Sequence, residues 1–260
     1  MHYSVTETVH HLLEIINAYE TAMESRPTAN RSTSNGAAAA AEDLGPVLAA
    51  VLDPLTEMCE RSAEALTPDA PSRVDEVAAI DPSAHRIYLI NCLAAVWAVL
   101  QHRAAASARA RQVLDSIEAH TAALVGGEVG RLLARCGLAE LVERLRLYQQ
   151  PPADAQDAAS EGFAGGAPAN DAALALPRLA EALRSFFVLV SSPDALPEFH
   201  SIQVPRLRAD AVSRVCRSLL ECYELVYNVV EDPRSGYLEQ GGASAIKHTP
   251  AQVRTILGVI

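Results

Sequence analysis

Residues 205–233 read PRLRADAVSRVCRSLLECYELVYNVVEDP, and this stretch carries the clearest structural signal in the sequence. Its large apolar side chains recur every three or four residues, at Val212, Val215, Leu219, Tyr223, Val226 and Val230. That spacing places them on one face of an α-helix. Pro205 suits a first helical turn, and Pro233 cannot continue a helix. The stretch therefore predicts a long amphipathic helix with one buried face.

Seven further segments have the same helical periodicity, and no segment alternates apolar and polar residues as a strand would. They lie near residues 4–23, 46–66, 82–100, 113–133, 138–148, 179–190 and 249–257. Aromatic residues make up only 5% of a chain that is 50% hydrophobic, so its core must consist of aliphatic side chains. The predicted fold class is all-α, with about eight helices and no sheet.

The second and fourth helical segments contain possible breaks. Pro54 either bends a continuous helix or starts a new one with Asp53 as its N-cap, and the apolar period that continues across it favours the bend. Weak patterning near Ser107 predicts a break before the fourth helix. Gly126-Gly127 is expected to loosen that helix or to pack closely, and Gly137 is a plausible C-terminal cap.

Two polar, low-complexity stretches predict disordered linkers at residues 25–43 and 151–170, because neither contains enough large apolar groups to offset its ordering entropy. The predicted domains are therefore an N-terminal helix, a first helical bundle and a C-terminal helical bundle. Their ranges are 1–24, 44–150 and 171–260.

Charge and cysteine content exclude several classes of protein. The net charge of −11 argues against nucleic-acid binding and against electrostatic docking on anionic membranes. No apolar run reaches the length of a membrane span, so any membrane association is expected to be peripheral and through partners. The five cysteines lack metal-site spacing and are expected to be buried free thiols in a reducing compartment.

No motif predicts catalysis, a cofactor or a metal. His10 and Glu14 lie one turn apart on the first helix, but further ligands are missing, and an exposed polar face explains them better. Cys216 and Cys222 lie on an apolar helix, where a thiol is usually a small buried hydrophobe. The sequence therefore predicts a protein that is not an enzyme and that binds other proteins.

Thr249-Pro250 predicts the start of a short C-terminal helix, and so short a helix is marginal alone in water. Its apolar side chains must therefore dock either on the chain's own core, which is the favoured interpretation, or on a partner. The candidate partner-binding residues are Val253, Ile256, Leu257 and Ile260.

Several phrases resemble the sixth subunit of the conserved oligomeric Golgi (COG) tethering complex. Residues 51–59 (VLDPLTEMC) are similar to its LDPLxxMC phrase, and residues 117–120 followed by 135–138 (IEAH…RCGL) to its IEAH…RxGL helix. Residues 248–257 (HTPAQVRTIL) resemble its C-terminal ending, which leads us to expect that the chain stops at its natural end. The long helix through Tyr223 and Tyr227 agrees in position, and the resemblance extends over residues 44–260 apart from the second linker.

The resemblance implies an elongated rod of stacked antiparallel helical bundles of the CATCHR type found in tethering complexes. It also implies a role in vesicle tethering during retrograde intra-Golgi transport, at the cytosolic face of the Golgi membrane. The implied partners are other subunits of the tethering complex, SNAREs and Rab GTPases. The resemblance assigns no binding residue in this chain, because the matching phrases consist of residues expected to pack in the core or to cap helices.

Two alternatives stay open on the residues alone. A helical adaptor of another pathway would be favoured by a repeat of 34 to 47 residues, which is the length of common helical repeats; no such period is found. A helical-bundle enzyme would require Glu-x-x-His pairs on two helices, and these are also not found.

Overall fold

The computed structural model describes residues 3–25, 35–66, 83–149, 167–192 and 199–259. Within these ranges the chain forms eight α-helices joined by turns and short 3₁₀ segments, and it forms no strand. The helices are α1 (Tyr3–Glu24), α2 (Asn35–Glu64), α3 (Ala84–Leu100), α4 (Ser107–Arg135), α5 (Ala139–Gln149), α6 (Leu176–Val190), α7 (Pro205–Glu231) and α8 (Pro250–Ile256). The predicted all-α class is confirmed, while the rod-like stacking of bundles stays a prediction.

Helix α2 is longer than its sequence pattern predicts. It begins at Asn35, inside the first predicted linker, and it runs without interruption through Pro46 and Pro54. Asp53 therefore does not start a new helix and the predicted continuity across Pro54 is confirmed, while the bend at Pro54 stays a prediction. Residues 26–34 of the first linker, Pro82 at the predicted start of the third helix and residues 151–166 of the second linker lie outside the described residues.

The predicted features of α4 have different outcomes. A turn and a 3₁₀ segment at Ala104–Ala106 precede Ser107, where α4 begins, so the break near Ser107 is confirmed. The helix continues through Gly126 and Gly127, and a side chain at either position would meet nothing within 4 Å. Gly137 ends α4 with a positive φ of 75°, and the Leu138 amide donates to the Leu133 carbonyl at 2.9 Å. This geometry is a Schellman C-cap, as the sequence predicts.

The chain divides into two compact units, and two of the boundaries between them fall inside helices, within α4 and within α7. Unit 1 contains Met1–Leu124 and Phe199–Arg208, and unit 2 contains Val125–Glu198 and Ala209–Ile260. This division differs from the predicted domains, because α4 and α7 each contribute residues to both units. Periodicity within a continuous helix gives no signal for such a boundary.

Unit 1 is built from α1, α2 and α3, which pack against one another, and from the first part of α4. Its core is aliphatic and includes Leu12, Ile16, Leu48, Leu52, Leu93 and Leu100. Buried Asn91 holds the segment that precedes α7: its amide donates to the Ser201 carbonyl and accepts from the Gln203 amide, both at 2.8 Å. An irregular segment is thereby fixed to the helical core by paired hydrogen bonds.

Unit 2 contains the end of α4, the helices α5, α6 and α8, and most of α7. Asp171 organises the chain before α6, because its carboxylate accepts from the Ala173 amide at 2.8 Å and from Arg144 at 3.3 Å. The fully buried Tyr237 donates its hydroxyl proton to the Leu174 carbonyl at 2.7 Å. These contacts fix the entry to α6, which carries the candidate site.

Candidate protein-interaction surface

Helix α6 has one strongly apolar face turned into unit 2. Leu179, Leu183 and Phe186 are nearly completely buried, and burial of each such side chain contributes about 1.5 to 3 kcal/mol. The opposite side of the helix is not uniformly polar, since the side chain of Val188 is 72% exposed. An isolated exposed valine is ordinary, so its meaning depends on what lies beside it.

The segment at residues 241–248 lies beside α6 and is shaped by glycine. Gly241 adopts a φ of 82°, and the Gly242 amide donates to the Tyr237 carbonyl at 2.8 Å. A Cβ atom at Gly242 would lie 2.8 Å from that carbonyl oxygen, so only glycine fits there without a shift of the backbone. This tight turn directs the following residues along α6.

Aromatic side chains attach this segment to the helices. The Tyr223 hydroxyl on α7 donates to the His248 carbonyl, and the His248 ring lies 4.6 Å from the Phe187 ring, centroid to centroid. Tyr223 also stacks on Phe186 with ring centroids 5.9 Å apart. Burial raises the pKa of Tyr223 to about 12, and the neighbouring Tyr227 adds to the effect. The phenol is therefore a neutral hydrogen-bond donor throughout the physiological range.

A cavity of about 410 Å³ lies between α6 and this segment, and we call it the α6 groove. The α6 wall consists of Ala180, Leu183, Arg184, Phe187, Val188 and Ser191. The opposite wall consists of Ser244, Ala245, Lys247 and His248. Its size falls within the range of ligand-binding pockets, and its lining is mainly apolar.

The charged groups that line the α6 groove are all basic. Arg184 forms an exposed ion pair with Glu181, which does not line the cavity. Lys247, which is exposed, is the single lysine of the sequence, and no ion pair to it occurs among the described residues. The groove is thus a small basic site on a chain whose net charge is −11.

The predicted partner-binding residues of α8 are divided by the structure. Val253 is fully buried, Leu257 is 6% exposed and Ile256 is 42% exposed, while Ile260 lies outside the described residues. The predicted start of α8 at Thr249-Pro250 is confirmed by a full capping box, in which the Gln252 side chain accepts from the Thr249 amide at 2.9 Å. Two of the candidates therefore pack within the chain, and of the described ones only Ile256 presents substantial apolar surface.

The phrase at residues 51–59 that resembles the family lies on α2 in unit 1. Some of its side chains are buried in the core, and others are polar and lie at the surface. Leu52, Leu55 and Cys59 are buried, as expected of packing positions. Asp53 forms an ion pair with Arg109 of α4 at the edge of a second cavity of about 250 Å³. That cavity is shallower and is lined by three carboxylates, those of Asp53, Glu57 and Glu60.

The remaining candidates for chemistry have structural explanations. His10 Nε2 lies 3.5 Å from a Glu14 carboxylate oxygen, and both side chains are exposed on α1. All five cysteines are free and buried, and burial raises the pKa of the Cys216 and Cys222 thiols. In the described ranges, no three His, Cys, Asp or Glu side chains form a group that suits a metal ion, and no helix is long and apolar enough to cross a membrane.

The α6 groove was not predicted from the sequence, because its two walls are more than fifty residues apart. One local signal is present: residues 186–190 (FFVLV) are five consecutive large apolar residues, and consecutive residues cannot all face one side of a helix. Such a run indicates either a helix buried on all sides or a helix with a second apolar contact.

Two comparisons relate the chain to known proteins. The family model described as Conserved Oligomeric Golgi complex subunit 6, C-terminal, matches residues 3–257. A curated relative from Arabidopsis thaliana, named conserved oligomeric Golgi complex subunit 6, is 34% identical over 282 aligned positions that cover 98% of this chain. The same alignment covers 37% of the relative, so this chain spans little more than a third of that protein's length. No solved structure matches the chain.

Proposed function

Because the chain belongs to the family of the C-terminal region of conserved oligomeric Golgi complex subunit 6, we propose that it is a non-enzymatic subunit of a Golgi vesicle-tethering complex. In this role it is a helical scaffold that binds other proteins in retrograde intra-Golgi transport. It works at the cytosolic face of the Golgi membrane as a peripheral protein, and its partners hold it there.

The observation that carries this proposal is the extent of the family match, which includes nearly every residue from α1 to α8. The described surface supports a binding role: the α6 groove is open and mainly apolar, and the Tyr223–His248 hydrogen bond attaches its second wall to α7. Large exposed apolar side chains occur in both units, with Val47 in unit 1 and Leu147 and Val188 in unit 2. Exposed apolar surface at a groove is typical of protein-binding sites.

The proposed partners are the other subunits of the tethering complex, together with SNAREs and Rab GTPases. The resemblance suggests all three classes, and the family name refers directly to the first of them. The exposed Ile256 of α8 and the α6 groove are the candidate contact surfaces in unit 2.

The proposal is tested by tagging the protein at its own locus, purifying it under mild conditions and identifying the proteins that accompany it. We expect other subunits of the tethering complex in stoichiometric amounts and a Golgi-associated fluorescent tag. The tag expressed alone is the control. Reproducible purification with a different set of proteins and no Golgi signal would favour an adaptor of another pathway and contradict the proposal.

A further inference from the structure

We propose that the α6 groove binds an amphipathic helix of a partner protein that carries an aliphatic stripe flanked by carboxylates. The inference rests on the proposed function to the extent that the occupant is a protein. It adds the chemical class of that occupant and the place where it binds.

The shape of the groove matches a helix. The α6 residues that line it are spaced three or four apart, in the order Ala180, Leu183/Arg184, Phe187/Val188 and Ser191. These positions form one stripe along α6 and its C-cap Ser191 that spans twelve residues, or about 16 Å at 1.5 Å per residue. A second helix lying along such a stripe inserts its own side chains at the same interval, which is how amphipathic helices fill apolar grooves.

The apolar surface of the groove supplies the anchors. Phe187 is only partly buried although its neighbour Phe186 is covered, and Val188 is 72% exposed. Covering these two side chains with leucine or isoleucine from a partner removes apolar surface from water, which is the main favourable term in such complexes. A partner with polar side chains at these positions would leave that surface uncovered.

The charges of the groove favour acidic residues beside the apolar stripe of the partner helix. Arg184 and Lys247 stand on opposite walls, and no carboxylate lines the cavity. A carboxylate on the partner would complement Lys247, for which no ion pair occurs in the described part of the chain. A basic helix would be disfavoured by Lys247, whereas Arg184 is already paired with Glu181. Two cations on a chain of charge −11 do not make a binding surface for an anionic membrane.

The groove is held in shape before any partner arrives. The Tyr223 hydroxyl fixes the His248 carbonyl, and the His248 ring packs on Phe187, so the wall that carries Lys247 is attached to both α6 and α7. Gly242 fixes the turn that leads into this wall. A site ordered in advance loses less conformational entropy on binding, which favours a specific occupant.

The test is a selection of helix-forming peptides from a randomised display library against the whole chain. We expect enriched peptides with aliphatic residues at i, i+3 or i+4, and i+7, and with Asp or Glu on one flank. Val188→Asp should weaken their binding about tenfold or more, as expected for loss of an apolar anchor. Lys247→Gln should weaken it up to about fivefold and reduce its salt dependence, as expected for a rim charge.

Val47→Asp provides the matched control, because Val47 is also an exposed valine on a helix but lies on α2 in unit 1. It should leave peptide binding unchanged. Both variants should keep the circular dichroism spectrum and melting temperature of the parent, so a loss of binding in Val188→Asp alone reports on the groove.

The single lysine allows a second, independent readout. A carbodiimide activates a peptide carboxylate, and the ε-amino group of Lys247 then displaces the urea to form an amide bond. We expect an enriched acidic peptide to become joined to Lys247, with the product absent in Lys247→Arg, which keeps the charge but does not form this amide. An enriched peptide that binds but is joined only to the N-terminal amine overturns the placement at the groove.

Three results would overturn the inference: no enriched peptide that depends on Val188, enrichment of basic or uncharged helices, or Val188-dependent binding to phosphatidylserine-containing vesicles instead of peptides. None of these results would affect the co-purification of the other complex subunits with the parent protein, so the proposed function would be retained. The reverse outcome, peptide binding at the groove without complex subunits, would retain the inference and remove the proposed function.

Discussion

The two compact units fill their cores with different side chains. The core cluster of unit 1 is aliphatic with two thiols, and its aromatic neighbours Tyr19, Tyr88 and Trp97 are only partly buried. In unit 2, Phe186, Tyr223 and Tyr237 are among the largest fully buried side chains described. Both tyrosine hydroxyls donate to main-chain carbonyls outside α-helices, those of His248 and Leu174.

This difference separates two ways of stabilising helical structure. Aliphatic packing is strong but has no direction, so it holds regular helices against one another. A hydroxyl bonded to one carbonyl is directional and specifies the position of an irregular segment. Unit 2 uses this device for both the entry to α6 and the wall of the α6 groove. Unit 1 has a comparable device in Asn91, which fixes residues 201–203.

The largest expected effect is that of removing α8 from unit 2. Deletion of residues 249–260 takes away the buried side chains of Val253 and Leu257, and loss of a large buried aliphatic side chain costs about 2 to 5 kcal/mol. A thermal melt should show a clearly lower Tm. Ile256→Ser, at an exposed position of the same helix, should change it little. An unchanged Tm after the deletion would mean that α8 contributes nothing to the core of unit 2.

The second largest expected effect is the loss of stability of unit 2 at alkaline pH. Burial raises the pKa of both Tyr223 and Tyr237 to about 12 from an ordinary value of 10.0. Because the folded-state pKa is raised, the stabilisation is complete below pH 10 and is lost as the pH rises towards 12. At pH 12 the free energy of unfolding of the protein should be lower than below pH 10 by about 2 kcal/mol for each of the two tyrosines. Denaturant unfolding at a series of pH values measures this loss.

A double variant separates the alkaline destabilisation caused by Tyr223 and Tyr237 from that caused by other groups. Partial burial, with Cys92 beside it, also raises the pKa of Tyr88 in unit 1, so the pH profile of the parent contains more than one contribution. The double variant Tyr223→Phe/Tyr237→Phe should have a much flatter profile above pH 10. A profile equally steep in the double variant would show that other groups control alkaline unfolding.

Gly242→Ala tests the turn that carries the groove wall. Its new methyl group would lie 2.8 Å from the Tyr237 carbonyl oxygen and 2.9 Å from the Tyr237 Cβ, both closer than real contacts allow. Forcing extra volume into a packed site costs about 1 to 3 kcal/mol. We expect a lower Tm and weaker binding of any peptide that occupies the α6 groove. Retention of both properties would show that the turn can shift without disturbing the wall.

Removal of single tyrosine hydroxyls is expected to have a smaller effect. It distinguishes the contribution of the hydrogen bond from that of the buried ring. Tyr223→Phe and Tyr237→Phe keep the buried ring but leave the His248 or Leu174 carbonyl without its donor, at a cost of about 1 to 2 kcal/mol each. Tyr227→Phe is the control, since Tyr227 is only partly buried. Urea unfolding provides the values, and hydrogen exchange of residues 244–249 should speed up in Tyr223→Phe alone.

Periodicity predicted the helices well because each helix is a local structure. The apolar spacing of α7 and the cap at Thr249-Pro250 depend on neighbours within a few residues, and both are present as predicted. The apolar pattern predicts a start of α2 about ten residues too late, because Asn35–Asp43 is rich in alanine and has no large apolar residue to reveal a period. Alanine's high helix propensity was a usable signal there.

The candidate site could not be predicted in the same way, because it depends on contacts between distant residues. The sequence indicated that Val253, Ile256 and Leu257 form the apolar side of α8, but it does not distinguish the core from a partner. The structure buries two of them and exposes Ile256. The pairing of Tyr223 with His248 likewise joins two segments that no local pattern connects.

The smallest expected effect concerns glycines that no contact explains. Gly126 and Gly127 lie within α4, have open space where a Cβ would be, and do not adopt positive φ. Glycine in a helix interior is about 1 kcal/mol less favourable than alanine, so Gly127→Ala should stabilise the protein by about that amount. Urea unfolding measures the change, and Gly126→Ala should repeat it. Gly242→Ala is expected to have the opposite effect. Comparing Gly127→Ala with Gly242→Ala therefore distinguishes a position where the backbone requires glycine from one where it does not. A destabilised Gly127→Ala would show that α4 must bend or meet another surface at this point, and that its glycines serve a contact absent from the isolated chain.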